Sequence, residues 1–512
     1  MIARVLTFAI VGIEAHPVEV EVDISAGMPY FNIVGLPDSV VRESKERVRA
    51  AIKNSGFDFP YQRITVNLAP AQLRKEGPGF DLPIAVGILR ASGLVESSPF
   101  DPLCCAGELS LDGEIRPVPG ALSMSFAARE SGIKALFVPA DNAREASLID
   151  GIDVYPVSNL NEMMQILKGA VSARSAKNES SPLEEADSWE IDFSDVKGQE
   201  HAKRALEVAA AGGHNVMMVG PPGSGKTMLA QRLPTILPPM SLDEAMETTR
   251  IYSVAGMLAG EEPLVKKRPF RAPHHSISDA GLVGGGHIPR PGEVSLAHNG
   301  VLFMDEFPEF RRNVLELLRQ PMEDGYVTIS RAAITVTYPA RFMLVAAMNP
   351  CPCGYLGSGQ RECRCTSTQI ARYVGKLSGP ILDRIDIHIS VPALSINELY
   401  GLGAEGAESS EAIRDRVIRA RTRQWERLRH SGRFSNAALL PHEIERYCKV
   451  RRSAETLLKD AMRSMRLSAR AYHRILKVAR TIADLEEKEI IEEHHILEAV
   501  QYRLLDRQGY MP

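Results

Sequence analysis

No apolar run in this chain approaches the roughly 20 residues a helix needs to cross a bilayer, so a helical membrane protein is excluded and no membrane partner is expected. Charge of either sign is not in excess. Sixty Lys and Arg against 64 Asp and Glu leave −4, so no global field draws nucleic acid, and any such binding must use local basic patches. Cysteine is scarce as well: seven in 512 residues argue against a disulfide scaffold. The N-terminal MIARVLTFAIVGIEAHPVEV is a poor signal peptide, its apolar part interrupted by Glu14 and His16 and lacking a small-residue cleavage site. The cytoplasm is the expected compartment. What remains is ordinary soluble composition, 44% apolar and 24% charged, in a chain long enough for about three domains.

The most informative stretch is Gly220-Pro221-Pro222-Gly223-Ser224-Gly225-Lys226-Thr227. An apolar run, Val216 to Val219, precedes it, and a helix-like segment beginning at Met228 follows. Strand, glycine-rich turn and helix start are what a phosphate-binding loop requires: backbone N–H groups close around phosphates, and the positive end of the helix dipole assists. Lys226 would reach the β- and γ-phosphates of a nucleoside triphosphate, and the Thr227 hydroxyl would hold Mg²⁺. The second half of such a site is Gly300-Val-Leu-Phe-Met-Asp305-Glu306, a buried strand delivering two carboxylates at its C-terminal edge. There Asp305 would orient the Mg²⁺ shell and Glu306 would polarise the attacking water. Leu344-Val-Ala-Ala-Met-Asn349 is another buried strand, ending in a polar residue suited to sensing the γ-phosphate or the water.

More chain lies between Lys226 and Asp305 than one helix and one strand need. The insert carries Lys266, Lys267, Arg268 and Arg271 with two prolines and two histidines, then a glycine cluster from Gly281 to Gly286, and reads as basic and flexible. The alternation in Tyr326 to Thr337 predicts a β-hairpin with Ser330-Arg331-Ala332 near its tip. Arg331 and the basic insert are the candidate contacts to DNA backbone; a solvated surface is the competing reading. Between Glu411 and Arg433 stand eight arginines on a predicted helix, for which a salt-bridged solvent face competes evenly with a nucleic-acid or subunit contact.

Two resemblances extend this reading. Lys75-Glu-Gly-Pro-Gly-Phe-Asp81 and the Gly107 to Gly120 stretch resemble the segments that carry the catalytic serine and lead to the catalytic lysine of Lon-type proteases. Gly79 stands at the serine position and about Leu122 at the lysine position, so the fold is expected without the dyad and without proteolysis. The order of the remaining motifs, with HNGVLFMDE, AAMNPCPCGY and GPILDRID, is similar to the magnesium-chelatase-like AAA+ ATPases, specifically the ComM/YifB group. That resemblance covers essentially the whole chain. It implies that Asp195 to Gln199 cups the adenine, that Arg384 is an arginine finger, and that Arg470 of Leu467-Ser-Ala-Arg470 reaches the bound nucleotide from the lid. It further implies a homo-oligomer, of hexameric type, and a helicase acting on DNA during natural transformation. Chelatase-type or chaperone-like remodelling is the alternative.

The expected architecture is a multidomain α/β chain. A Lon-protease-like α+β domain covers 1–172, a linker 173–188, an AAA+ P-loop α/β domain 189–395, and an α-helical C-terminal lid 396–512. Four of the seven cysteines, Cys351, Cys353, Cys363 and Cys365, fall within fifteen positions directly after the Asn349 strand. Two Cys-x-Cys pairs about a glycine-rich turn can converge on one tetrahedral Zn²⁺, with disulfides and free thiols as the rival readings.

Overall fold

The computed structural model describes residues 2–95, 97–176, 189–258, 262–286, 289–331, 334–359, 361–393, 407–465 and 467–503. The polar stretch 177–188 of the expected linker, the hairpin tip at 332–333 and the expected domain boundary at 396 lie outside the described residues. Among the described residues no helix is long and apolar enough to cross a membrane.

The chain divides into two compact units. In the first, the period-two alternation around Val18, Val20 and Val22 does become a strand, Glu14–Ser25, and all three valines are fully buried. It lies between Ile2–Val11 and Arg63–Ala69 as antiparallel neighbours, and Tyr30–Val34 adds to Arg63–Ala69 in parallel. Helix Ser39–Asn54 starts where Asp38 accepts the Val41 N–H at 2.7 Å, and Asp81–Ala91 packs against the two longest strands. A parallel pair, Ala135–Pro139 and Asp153–Val157, and helices Ala121–Glu130 and Leu160–Leu167 complete it. Gly79 sits in the short turn Pro78–Phe80, and Leu122 is buried in the first turn of Ala121–Glu130, so these two positions offer neither hydroxyl nor amine.

Two stretches far along the sequence, Leu242–Lys266 and Ala332–Tyr338, group with this first unit although the sequence reading places them inside 189–395. Helix Leu242–Ala255 is held there by specific contacts. The Gly120 N–H donates to Ser253 O at 3.1 Å, and Arg250 donates to Ile13 O at 3.0 Å while stacking over Phe126. Part of the long insert after the phosphate loop thus belongs to the N-terminal fold.

The second unit is built on a five-stranded, all-parallel sheet. Its spatial order is Phe270–Arg271, Val301–Met304, Met343–Met348, Val216–Val219, Ile387–Ser390. Apolar runs without alternation fit strands buried on both faces; every residue of the strands at 216, 301 and 343 is buried. The sheet shares one continuous core with helices Glu200–Gly212, Lys226–Ile236, Ser410–Leu428, Ala469–Leu485 and Glu493–Gln501, so the C-terminal helices are part of this unit.

The arginine-rich helix comes out as Ser410–Leu428, and its cations face protein partners. Arg416 pairs with Glu207 and Glu408, and Arg423 with Glu487. Arg427 grips Asp484 with two hydrogen bonds at 2.6 and 3.0 Å, and Arg421 donates to Ala210 O at 2.9 Å. These contacts favour the salt-bridged reading of that helix.

Candidate nucleotide site

The strand order decides which residues can meet. Val216–Val219 lies beside Met343–Met348, and Val301–Met304 flanks the latter on its far side. All run the same way, so the phosphate loop, Asn349 and the Asp305-Glu306 pair emerge at one edge of the sheet. That C-terminal edge is where open α/β sheets bind ligands.

The loop then folds as its glycines require. Gly223 and Gly225 have φ of 74° and 89°, a region open to glycine at little cost. A Cβ on Gly220 would run into Val391 O. Helix Lys226–Ile236 begins immediately after Gly225, so its first N–H groups face the loop. Lys226 Nζ donates to Gly220 O and Pro221 O, both at 2.8 Å, and lies 3.5 Å from Asn349 Oδ1. Its pKa is lowered by burial, an effect the Asp305 carboxylate opposes. The Thr227 hydroxyl donates to Asp305 Oδ2 at 2.9 Å, and Asp305 Oδ1 accepts the Glu306 N–H at 2.8 Å. A hydroxyl and a carboxylate oxygen in contact, beside a lysine and a ring of helix N–H groups, fit a magnesium nucleotide by the chemistry of the donor set. Thr227 and Asp305 would hold the Mg²⁺; the loop from Gly220 to Met228 would hold the phosphates of ATP.

Glu306 projects from a left-handed backbone, φ 50°, and just over half its side chain is exposed. Its Oε2 lies 3.1 Å from His275 Nδ1. Sequence reasoning missed this partner because the insert reads as flexible. In the structure Phe270–Arg271 joins the sheet beside Val301–Leu302, Phe270 stacks on Phe303, and the chain carries on to His275 at the same edge. The insert's other cations hold it in place. Arg268 donates to Pro238 O at 2.6 Å and Asn299 O at 2.7 Å, Arg271 chelates Glu293, and Lys267 lies over Trp189. Lys266 is half-buried, and Arg331, at the end of strand Tyr326–Arg331, is exposed.

Gln199 donates to Pro392 O at 2.7 Å and to Ser224 O at 3.4 Å, and Asp195 pairs with Arg232 on the phosphate-loop helix. The expected adenine segment is therefore tied to the loop. Arg384 lies on the turn after Gly379–Leu382, where its guanidinium pairs with Glu323 and donates to Pro380 O at 2.6 Å. Arg470, near the start of Ala469–Leu485, pairs with Asp383 at 3.2 Å and is 70% exposed. One turn on, Arg474 pairs with Asp386, which also bonds His214 Nδ1 at 3.1 Å. The helix that carries Arg470 is thus tied to the turn that carries Arg384. The four thiols Cys351, Cys353, Cys363 and Cys365 do come together, with all four sulfurs within 4.8 Å of one another.

Sheet order, phosphate loop and paired carboxylates define a P-loop ATP-binding protein of AAA+ type. The sequence matches the family described as magnesium chelatase, subunit ChlI, over residues 192–399. It also matches subunit ChlI of Mg-chelatase over 20–142 and the ChlI C-terminal family over 407–503. It is 47% identical to competence protein ComM of Haemophilus influenzae, over 99% of this chain and 98% of that one. To the uncharacterized protein YifB of Escherichia coli it is 45% identical, over 98% and 97%. A Lon protease of Metamycoplasma arthritidis is 26% identical over 29% of this chain and 18% of its own length. The chain belongs to the magnesium-chelatase-like ComM/YifB family.

Proposed function

We propose that this protein is the subunit of a cytoplasmic, ring-forming ATPase that moves on DNA, a helicase that extends branches while incoming DNA is integrated. The observation that carries the ATPase half is the meeting of Lys226, Thr227, Asp305, Glu306 and Asn349 at one sheet edge. Near-full-length similarity to a competence protein supports the DNA half.

In this reading Lys226 and the loop N–H groups bind the phosphates, and Asp305 with Thr227 would hold a Mg²⁺, which would neutralise phosphate charge. Glu306 accepts the proton of the attacking water, restrained meanwhile by His275, and Asn349 orients that water. Arg384, anchored by Glu323, completes the site of a neighbouring subunit, which makes a homo-oligomer, of hexameric form, the working unit. Arg470 reports lid position to the nucleotide. Arg331 and the exposed Lys267, with Lys266, hold backbone phosphates without reading sequence, while Arg268 and Arg271 brace the insert from which they act. The four cysteines hold a structural Zn²⁺.

The test is the ATPase rate of the purified chain with no polymer, single-stranded DNA, duplex, forked DNA or unfolded protein, followed by strand displacement on the fork. Stimulation by DNA with displacement supports the motor. Stimulation by unfolded protein alone favours a chaperone-like remodeller, a reading the Lon-type similarity keeps in play.

A further inference from the structure

Cys351 follows Asn349 by two residues, so whatever fixes the cysteine loop also fixes the end of the central strand Met343–Met348. The Sγ atoms of Cys351, Cys353 and Cys363 stand 3.3, 3.7 and 3.6 Å apart, and Cys365 completes the group within 4.8 Å. A disulfide needs about 2.05 Å. A tetrahedral ion bound at about 2.3 Å from each thiolate sets its sulfurs about 3.8 Å apart. The cluster therefore has the dimensions of a closed four-thiolate metal site. Its innermost member, Cys351, is fully buried, and the other three are half-buried.

Among the described residues a second cluster of metal-binding side chains, Glu486, His494 and His495, does not have this character. His495 Nδ1 accepts the Glu492 N–H at 2.8 Å, so its proton sits on Nε2 and is donated to Glu486. That ring has no lone pair left for a metal.

The cysteine loop also touches the phosphate loop. Gly354, between the two cysteine pairs, takes φ 84° and donates its N–H to Cys351 O at 3.0 Å. A Cβ added there would lie 2.6 Å from Pro222 Cδ and 2.8 Å from Cγ, closer than real Cβ contacts come, and 3.7 Å from Asn349 Cγ. Only a bare backbone fits between the thiol knot and the two elements that face the nucleotide.

We infer that the four cysteines close on one zinc ion, and that the zinc knot is a control point for nucleotide binding, backing Pro222 and Asn349 so that metal loss loosens the ATP pocket. This rests on the nucleotide-site reading given above. It makes zinc and Mg·ATP linked ligands: if zinc tightens nucleotide, nucleotide must tighten zinc by the same factor.

Full-length protein purified without chelator should contain about one zinc per chain. Affinity for a fluorescent ATP analogue with Mg²⁺ is then measured for wild type, for Cys353→Ser/Cys363→Ser, and for Gly354→Ala, which keeps all four thiols. The double variant should lose zinc and bind about tenfold more weakly; Gly354→Ala should keep its zinc and weaken binding to a similar degree. If the double variant does not fold, the wild type alone decides. Equilibrium competition with a zinc-selective chelator should show zinc held about tenfold more tightly with saturating Mg·ATP than without. Zinc-free protein that binds nucleotide normally overturns the proposal, as does a zinc affinity indifferent to Mg·ATP. Zinc-loaded wild type that binds no nucleotide would instead overturn the phosphate-loop reading and the coupling with it, leaving the metal site supported by its stoichiometry.

Discussion

Arg384→Ala separates binding from hydrolysis. In its own chain Arg384 pairs with Glu323 and donates to Pro380 O, and only 15% of the side chain is exposed. The substitution leaves Lys226, Thr227 and Asp305 untouched, so ATP affinity should change by less than about threefold. Loss of an arginine finger costs about 10³ to 10⁵ in turnover, which is about 4 to 7 kcal/mol of transition-state stabilisation. Phosphate release at saturating ATP should fall accordingly. Mixing then tests whether the arginine acts between subunits. An Arg384→Ala subunit keeps a working phosphate loop, and a Lys226→Ala subunit keeps a working finger. In a random one-to-one ring about one quarter of the interfaces join the first loop to the second finger. Two inactive proteins should therefore give about a quarter of wild-type hydrolysis, and an excess of Lys226→Ala should raise the rate per Arg384→Ala subunit further. Differently tagged subunits that co-purify as mixed rings yet hydrolyse no faster than either parent would refute the shared site.

Glu306→Gln should bind ATP normally and slow hydrolysis by about 10² or more, trapping assembled rings visible by size-exclusion light scattering; normal turnover would assign the water to another residue. Arg331→Ala should retain basal ATPase but lose DNA stimulation and strand displacement, and unchanged displacement on a fork would remove Arg331 from the DNA path. Asp386→Asn should lower stability to urea by about 3 kcal/mol, because it breaks a buried pair with Arg474 and a bond to His214. The Arg474 charge holds the Asp386 carboxyl well below its ordinary 3.8, and burial pushes His214 below 6.5. At these two groups the unfolded chain takes up more protons as pH falls, so their share of the stability is complete above about pH 6.5, declines below it as His214 titrates, and declines again below about pH 3.8 as Asp386 does. Asp386→Asn should shrink the second decline in urea titrations across pH without removing it, because other carboxylates such as Asp192 and Asp195 are also held below their ordinary range; a profile identical to wild type would show that the pair contributes nothing.

Much of the fold was legible because each element announces itself locally. The alternation at Val18 to Val22, the continuous apolar runs at Val216, Val301 and Met343, and the glycines of the phosphate loop all became the elements their patterns predict. The assignment of helix Leu242–Ala255 to the N-terminal unit was not legible. Its attachment rests on Arg250 meeting the Ile13 carbonyl and on Gly120 meeting Ser253, pairs more than a hundred residues apart in sequence. Nothing in the local periodicity of the helix records which surface it will cover. The edge strand Phe270–Arg271 was hidden for a different reason: two residues flanked by prolines are too short to show a period.

The same distinction governs the site. Lys226, Thr227, Asp305 and Asn349 could be placed from sequence because Asp305 and Asn349 follow the ends of buried strands and Lys226 and Thr227 open the helix after the glycine turn, and parallel strands bring such ends to a common edge. His275 lies at that edge as well, but only because a two-residue strand carries it there. Glu323, which holds Arg384, and Asp383, which holds Arg470, come from a short helix and a turn with no pattern of their own. The consequence is physical. The residues proposed to contact the nucleotide are set by the heavily buried sheet, whereas Arg384, Arg470 and Glu306 each sit in an ion pair with one side chain more than half exposed. Pairs exposed in this way are worth about 0 to 1 kcal/mol each, so in the proposed function ATP, a neighbouring subunit or a DNA strand would have enough interaction energy to exchange them. In the proposed function, a binding pocket fixed by strands and hydrolytic groups held by replaceable ion pairs would suit a cyclic motor: nucleotide would stay bound while the groups that fire it are released one contact at a time.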